Sequence, residues 1–227
     1  MPGKYQLLVE GNDDQFVIYN LLKKYNISCE VSPARVTGTN TILIAKRNNK
    51  QDLLDSLDIH KAFADSEMER LGIVLDADRL QTEWGLDKTW KKLRDKFENQ
   101  GIGHLPEKPI SEGTVTEVVL ADRIITVGIW IMPDNVRDGI LEDFMTYLVP
   151  ANNLWEHAQN VARNVMSDYH SFAEKDLRKA EIHTWLAWQR TPGAPMGHAI
   201  EYGFFNHNVT QAQGLIAWVQ RLFDTSR

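Results

Sequence analysis

Cysteine is almost missing from this chain. Cys29 stands alone, which excludes an intramolecular disulfide and a cysteine-built zinc site. A cytoplasmic setting is the simplest expectation. A basic surplus is missing too. Lys and Arg number 25 against 31 Asp and Glu, for a formal net charge of −6. That argues against a protein that coats nucleic acid by neutralising phosphates. It leaves room for an enzyme that meets phosphates through bound cations, because a cation inverts the local charge. No apolar run is long enough to cross a bilayer, and the first one, YQLLV, is too short for a signal peptide. No membrane role is expected. The histidines show no paired ligand spacing, and no GxxxxGK[ST] phosphate loop occurs. Repeats and Gly/Ser/Pro-rich linkers are also absent.

What is present is a set of apolar runs that stop on acids. Tyr5 to Val9 reads as a strand buried on both faces, ending in Glu10-Gly11-Asn12-Asp13-Asp14. Leu71 to Leu75 reads as another, ending in Asp76-Ala77-Asp78. A helix is expected from about Asp14 to Tyr25, capped by Asn12 or Asp13. Further strands are expected at Ile27 to Ser32, with an extension at Arg35 to Thr37, and helices at about Thr41 to Lys46 and Lys50 to Ser56, with helical character persisting to about Ala64. Asp87 to Gln100 has a helical apolar stripe of Trp90, Leu93 and Phe97. Gly113 to Leu120 and Ile124 to Met132, joined by Ala121-Asp122-Arg123, suggest a β-hairpin. Gly139 to Leu148, Asn153 to Asp168, Lys175 to Trp188 and Val209 to Phe223 suggest helices.

Strands alternating with helices imply right-handed crossovers and an α/β fold with a mostly parallel central sheet, helices on both faces, a β-hairpin and a C-terminal helical layer. Residues 1–149 would form the α/β core, and 150–227 a helical extension packed on it as one structural unit. Ligands of such sheets sit at the carboxyl ends of the strands, where both acidic groups fall. Asp76-x-Asp78 can turn two carboxylates toward one hard cation such as Mg²⁺. Glu10 is a ligand or a general base, and Asp14 can face the same opening. The bland alternative is that such acids only close turns or cap helices, which suits Asp13 best.

LLVEGNDDQFVIYNLL followed by GIVLDAD resembles a Toprim domain, the catalytic fold of topoisomerases, primases and several nucleases. The Glu-Gly-x-x-Asp pattern resembles the Toprim part of the overcoming-lysogenisation-defect nucleases. It also resembles stand-alone Toprim-like proteins of unknown function, which share a strand like GIWIMPDN and a helix like GILEDFM. The resemblance implies metal ligation by Glu10, Asp14, Asp76 and Asp78, with Glu10 also a candidate acid or base. Glu142 matches a later Leu-Glu that serves a second metal, with Asp143 as its alternate. A lysine on a following helix implies Lys179 as a catalytic cation, with Lys175 and Arg178 as alternatives. The third acid of the longer Asp-x-Asp-x-Asp signature is replaced by Leu80, a departure from topoisomerases and primases.

The expected function is therefore an Mg²⁺- or Mn²⁺-dependent nuclease, or related phosphoryl-transfer enzyme, acting on nucleic acid. The alternative is a non-catalytic Toprim-like module that binds metal or nucleotide and serves a larger system, for instance with a separately encoded ATPase partner. A receiver-like or phosphatase-like domain is a third reading. It is disfavoured because Leu80 stands where a phosphatase motif needs a hydroxyl. His183 and His198 read as core histidines or as groups reaching the site, and Trp130 beside the Pro133-Asp134-Asn135 turn as core or as a binding surface. Lys46, Arg47 and Lys50, like Lys91, Lys92 and Arg94, could hold a phosphate backbone but read more readily as solvated faces.

Overall fold

The computed structural model describes residues 4–33, 41–57, 67–79, 84–120 and 123–224. Six strands form one sheet in the order β2-β3-β1-β4-β6-β5. They are β1 (Tyr5–Val9), β2 (Cys29–Val31), β3 (Ile42–Lys46), β4 (Arg70–Asp76), β5 (Thr114–Val119) and β6 (Ile124–Met132). All neighbours run parallel except the β5–β6 hairpin. The described helices are α1 (Asn12–Lys24), α2 (Lys50–Ser56), α3 (Leu86–Asn99), α4 (Leu141–Leu148), α5 (Asn153–Tyr169), α6 (Leu177–Ala187), α7 (Met196–Glu201) and α8 (Thr210–Phe223). A short 3-10 turn, Glu174–Asp176, leads into α6.

The central strands β1 and β4 and most of β3 and β6 are buried on both sides, which is why they are nearly continuous apolar runs, whereas the edge strand β5 alternates and exposes Glu117 and Val119. Leu7, Val9 and Val74 face a core shared with α1, α4, α6, α7 and α8. Leu8, Ile73 and Leu75 face a second core built with α2 and α3. The C-terminal helix seats itself on a gap in the sheet. Gly72 and Gly128 lie in register on β4 and β6, and Leu222 fills the space their missing side chains leave. A Cβ at Gly128 would lie 2.4 Å from Leu222 Cδ2. The Arg70 guanidinium adds a hydrogen bond to the Leu222 carbonyl at 2.5 Å.

Several expectations need correction. Thr41 to Lys46 is not a helix: Ile42 to Lys46 is a strand between β1 and β2. Ile42, Leu43 and Ile44 are consecutive and all buried, which a strand covered on both faces permits and a one-sided helix does not. Arg70 to Asp76 is thus the fourth described strand. The strand expected at Ile27 to Ser32 shrinks to Cys29–Val31. Met196–Glu201 is a further short helix; Pro195 sits at its N-cap, where a missing N–H costs nothing. The extension at Arg35 to Thr37, the persistence of helix to Ala64, and most of the hairpin link lie outside the described residues.

Candidate carboxylate site at the sheet switch point

From β1 the chain crosses to β2 and β3 on one side, then returns to β4 on the other. The crevice between the carboxyl ends of β1 and β4 is the switch point of the sheet. Glu10 follows β1 and Asp76 ends β4, so the two flank that crevice. The Asp76 N–H donates to Glu10 Oε1 at 2.7 Å, which fixes the Glu10 carboxylate across the gap. Asp14 is the third residue of α1. Its Oδ2 accepts from the Gly11 N–H at 3.1 Å, closing the helix start. Asp14 Oδ1 and Asp76 Oδ1 are buried and have no hydrogen-bond partner. Glu142, the second residue of α4, is 7% exposed and completes the group from the β6 side.

These carboxylates feel one another. Burial, then the charges of Asp14 and Asp78, push the Glu10 carboxyl up to about 7, against the pull of Lys50 and the Asp76 N–H. Burial, reinforced by Glu142, raises Asp14 to about 6 despite its backbone donors. Asp76 is raised well above the carboxylate range by burial and by Asp14, Glu10 and Glu142 together. Burial also raises Glu142, partly offset by Lys179. The donors are all hard oxygens, the chemistry that Mg²⁺ and Mn²⁺ take. Among the described residues, no three His, Cys, Asp or Glu side chains already stand at metal-ligand spacing.

Asp78 behaves differently. It has a left-handed backbone, φ 61°, and is tied to Gly139 by hydrogen bonds of 2.8 and 2.9 Å. Its carboxylate is engaged by the Lys50 ammonium. Lys50 is 6% exposed, lies 4.0 Å from Glu10 Oε1 and sits over the Trp84 ring at 4.6 Å. Reading Lys50 as part of a solvated face is therefore wrong. It opens α2 directly after β3, at the carboxyl end of the sheet, and the rule that singled out Glu10 applies equally to it.

Lys179 Nζ lies 3.8 Å from Glu142 Oε1 with its side chain about half exposed. It lines a pocket of about 180 Å³ with Asp78, Arg79, Ile140, Lys175 and Asp176. Arg178 turns away, bonding Asp143 Oδ1 at 3.0 Å and Glu181 Oε2 at 2.5 Å. Asp143 caps α4 through the Ile140 N–H at 3.0 Å and also takes a bond from Arg79 at 3.0 Å. It is a structural carboxylate, not a substitute for Glu142. A larger pocket of about 420 Å³ runs along α3, lined by Trp90 and three acidic and three basic side chains, and contains none of the site carboxylates.

The remaining expectations resolve simply. Asp13 is exposed, and Gly11 and Asp14 start α1 instead. Trp130 is buried, 5.8 Å from Trp218 between ring centroids, and is core. His183 and His198 are exposed rather than core; His183 is close enough to Glu142 to lower its pKa. Asp134 closes its own turn by accepting from Val136 and Arg137 N–H groups.

No curated protein and no solved structure matches the chain. A family model described as "Protein of unknown function (DUF3226)" matches residues 4–224, and the chain belongs to that family.

Proposed function

We propose that this protein is a divalent-metal-dependent nuclease, or a related phosphoryl-transfer enzyme, built on a Toprim-like sheet. The observation that carries the reading is the pair of buried, unpartnered oxygens, Asp14 Oδ1 and Asp76 Oδ1. A buried carboxylate oxygen without a donor is costly. Two of them, beside Glu10 and Glu142, constitute a demand for positive charge that the chain itself leaves unmet. Asp14, Asp76 and Glu142 would hold Mg²⁺ or Mn²⁺, with Glu10 beside them as the proton acceptor. When bound, such an ion supplies Lewis-acid stabilisation of a phosphoryl oxygen and an activated water.

The chain's own residues do the rest. Glu10, oriented by the Asp76 N–H, is placed to take a proton at the mouth of the crevice. Lys179 and Lys175 line the pocket beside Asp78 and supply positive charge for a phosphate that enters there. The Arg79–Asp143–Arg178 ion pairs hold α4, and with it Glu142, against the loop after β4.

The test is cleavage. Purified protein is incubated with single- and double-stranded DNA and RNA in Mg²⁺ or Mn²⁺, beside Asp76→Asn. The expected result is metal-dependent cleavage that the variant loses. A wild type that never cuts, yet binds metal through Asp76, would instead indicate a non-catalytic module.

A further inference from the structure

The oxygens of the site are not equivalent. Asp14 Oδ1 and Asp76 Oδ1 are open and buried, whereas the Asp78 carboxylate is already taken by a protein cation. Lys50 cannot easily leave. It is the first residue of α2, whose N-terminus is fixed by Asn49 accepting from the Asp52 N–H at 2.9 Å. Its ammonium lies over the Trp84 ring, and its side chain is only 7% exposed. A second divalent ion at Asp78 would sit against a buried ammonium. Like charges at contact distance in a poorly solvated place repel strongly. The ammonium also lies 4.0 Å from Glu10, between the two halves of the switch point.

We propose that Lys50 is a resident cation standing where a second metal would otherwise bind, so that the site takes one divalent ion per chain. This rests on the metal-site reading above. In that arrangement Asp14, Asp76 and Glu142 carry the ion. Lys50 holds Asp78 and supplies its own fixed charge to the phosphate being cut.

Mn²⁺ titration of the full chain by calorimetry, with the bound ion counted by electron paramagnetic resonance, tests this without reference to cleavage. The wild type is expected to bind one Mn²⁺, Lys50→Arg also one, and Lys50→Met two, since removing the ammonium frees Asp78 and Glu10. Should Lys50→Met fail to fold, Asp78→Asn decides the matter alone. It should keep one ion with affinity within about threefold of wild type. Two ions on the wild type, one ion on a folded Lys50→Met, or a loss of more than about tenfold in Asp78→Asn would each overturn the assignment of Lys50 while leaving a metal site standing. A wild type that binds no Mn²⁺ would remove the metal-site reading and this inference with it.

Discussion

Glu142 and Asp143 are neighbours in the chain and opposites in surroundings. Asp143 belongs to a chain of ion pairs in which Arg79 and Arg178 neutralise it, and Arg178 and Arg163 in turn neutralise Glu181. Glu181 is fully buried; its Oε1 lies 3.1 Å from Arg163 without hydrogen-bond alignment, while Oε2 is bonded by Arg178. Glu142 belongs to a second group, with Glu10, Asp14 and Asp76, in which acids outnumber the cations within reach. The first group sets three arginines against two carboxylates and joins α4, α5 and α6. The second is left short of positive charge at the carboxyl ends of β1 and β4. Whether each acid is matched by a cation thus separates the two groups, and neutralising substitutions should have opposite signs in them.

The largest effect is expected in the arginine-paired group. Glu181→Ala leaves two arginines facing an apolar space, one of them half exposed and able to reach water. A loss of about 3 kcal/mol in urea unfolding is expected; a neutral result would mean the ion pairs there are ornamental. Next comes Gly139→Ala. The added Cβ would lie 2.8 Å from Asp143 Oδ2 at a backbone φ of 151°, so the α4 cap and the tie to Asp78 should both weaken, at about 2 kcal/mol.

In the acid group the sign reverses and acquires a pH dependence. Glu10 is held at about 7 in the fold against 4.5 as its ordinary value. The folded state therefore binds more protons between those limits, and its stability falls as pH rises through them. In chelator-containing buffer, Glu10→Gln should gain on wild type by on the order of 2 kcal/mol between about pH 5 and about pH 8. A pH-independent difference would contradict the raised Glu10 carboxyl, which burial and then the neighbouring acids produce. The smallest effect is a gain of about 1 kcal/mol for Asp76→Asn at neutral pH without metal, seen as a raised melting temperature. Added Mg²⁺ should stabilise the wild type and not this variant.

Much of the scaffold is legible in the sequence. The apolar runs of β1 and β4 stop on Glu10 and Asp76 because strands buried on both faces deliver their polar groups only at their ends. The hairpin and the stripe of Trp90, Leu93 and Phe97 were equally plain. Ile42 to Lys46 was not, because a short apolar run has no period that distinguishes a buried strand from a buried helix turn. The pairing of Lys50 with Asp78 was hidden for a different reason. A lysine after a strand reads as solvated unless the β3 assignment is known, since only β3 brings it to the carboxyl edge of the sheet. Glu142 was distinguishable from Asp143 only by resemblance. On one helix turn the two differ in direction alone, and direction depends on where Arg79 and Arg178 arrive.

The central claim is that the unpaired acids at the β1–β4 switch point form a divalent-cation site. Calorimetric titration of Mn²⁺ into the wild type and into Asp76→Asn tests it most directly. Saturable binding to the wild type, weakened at least about tenfold in the variant, is the predicted result. No binding to the wild type at millimolar Mn²⁺, or equal binding to both proteins, would contradict it.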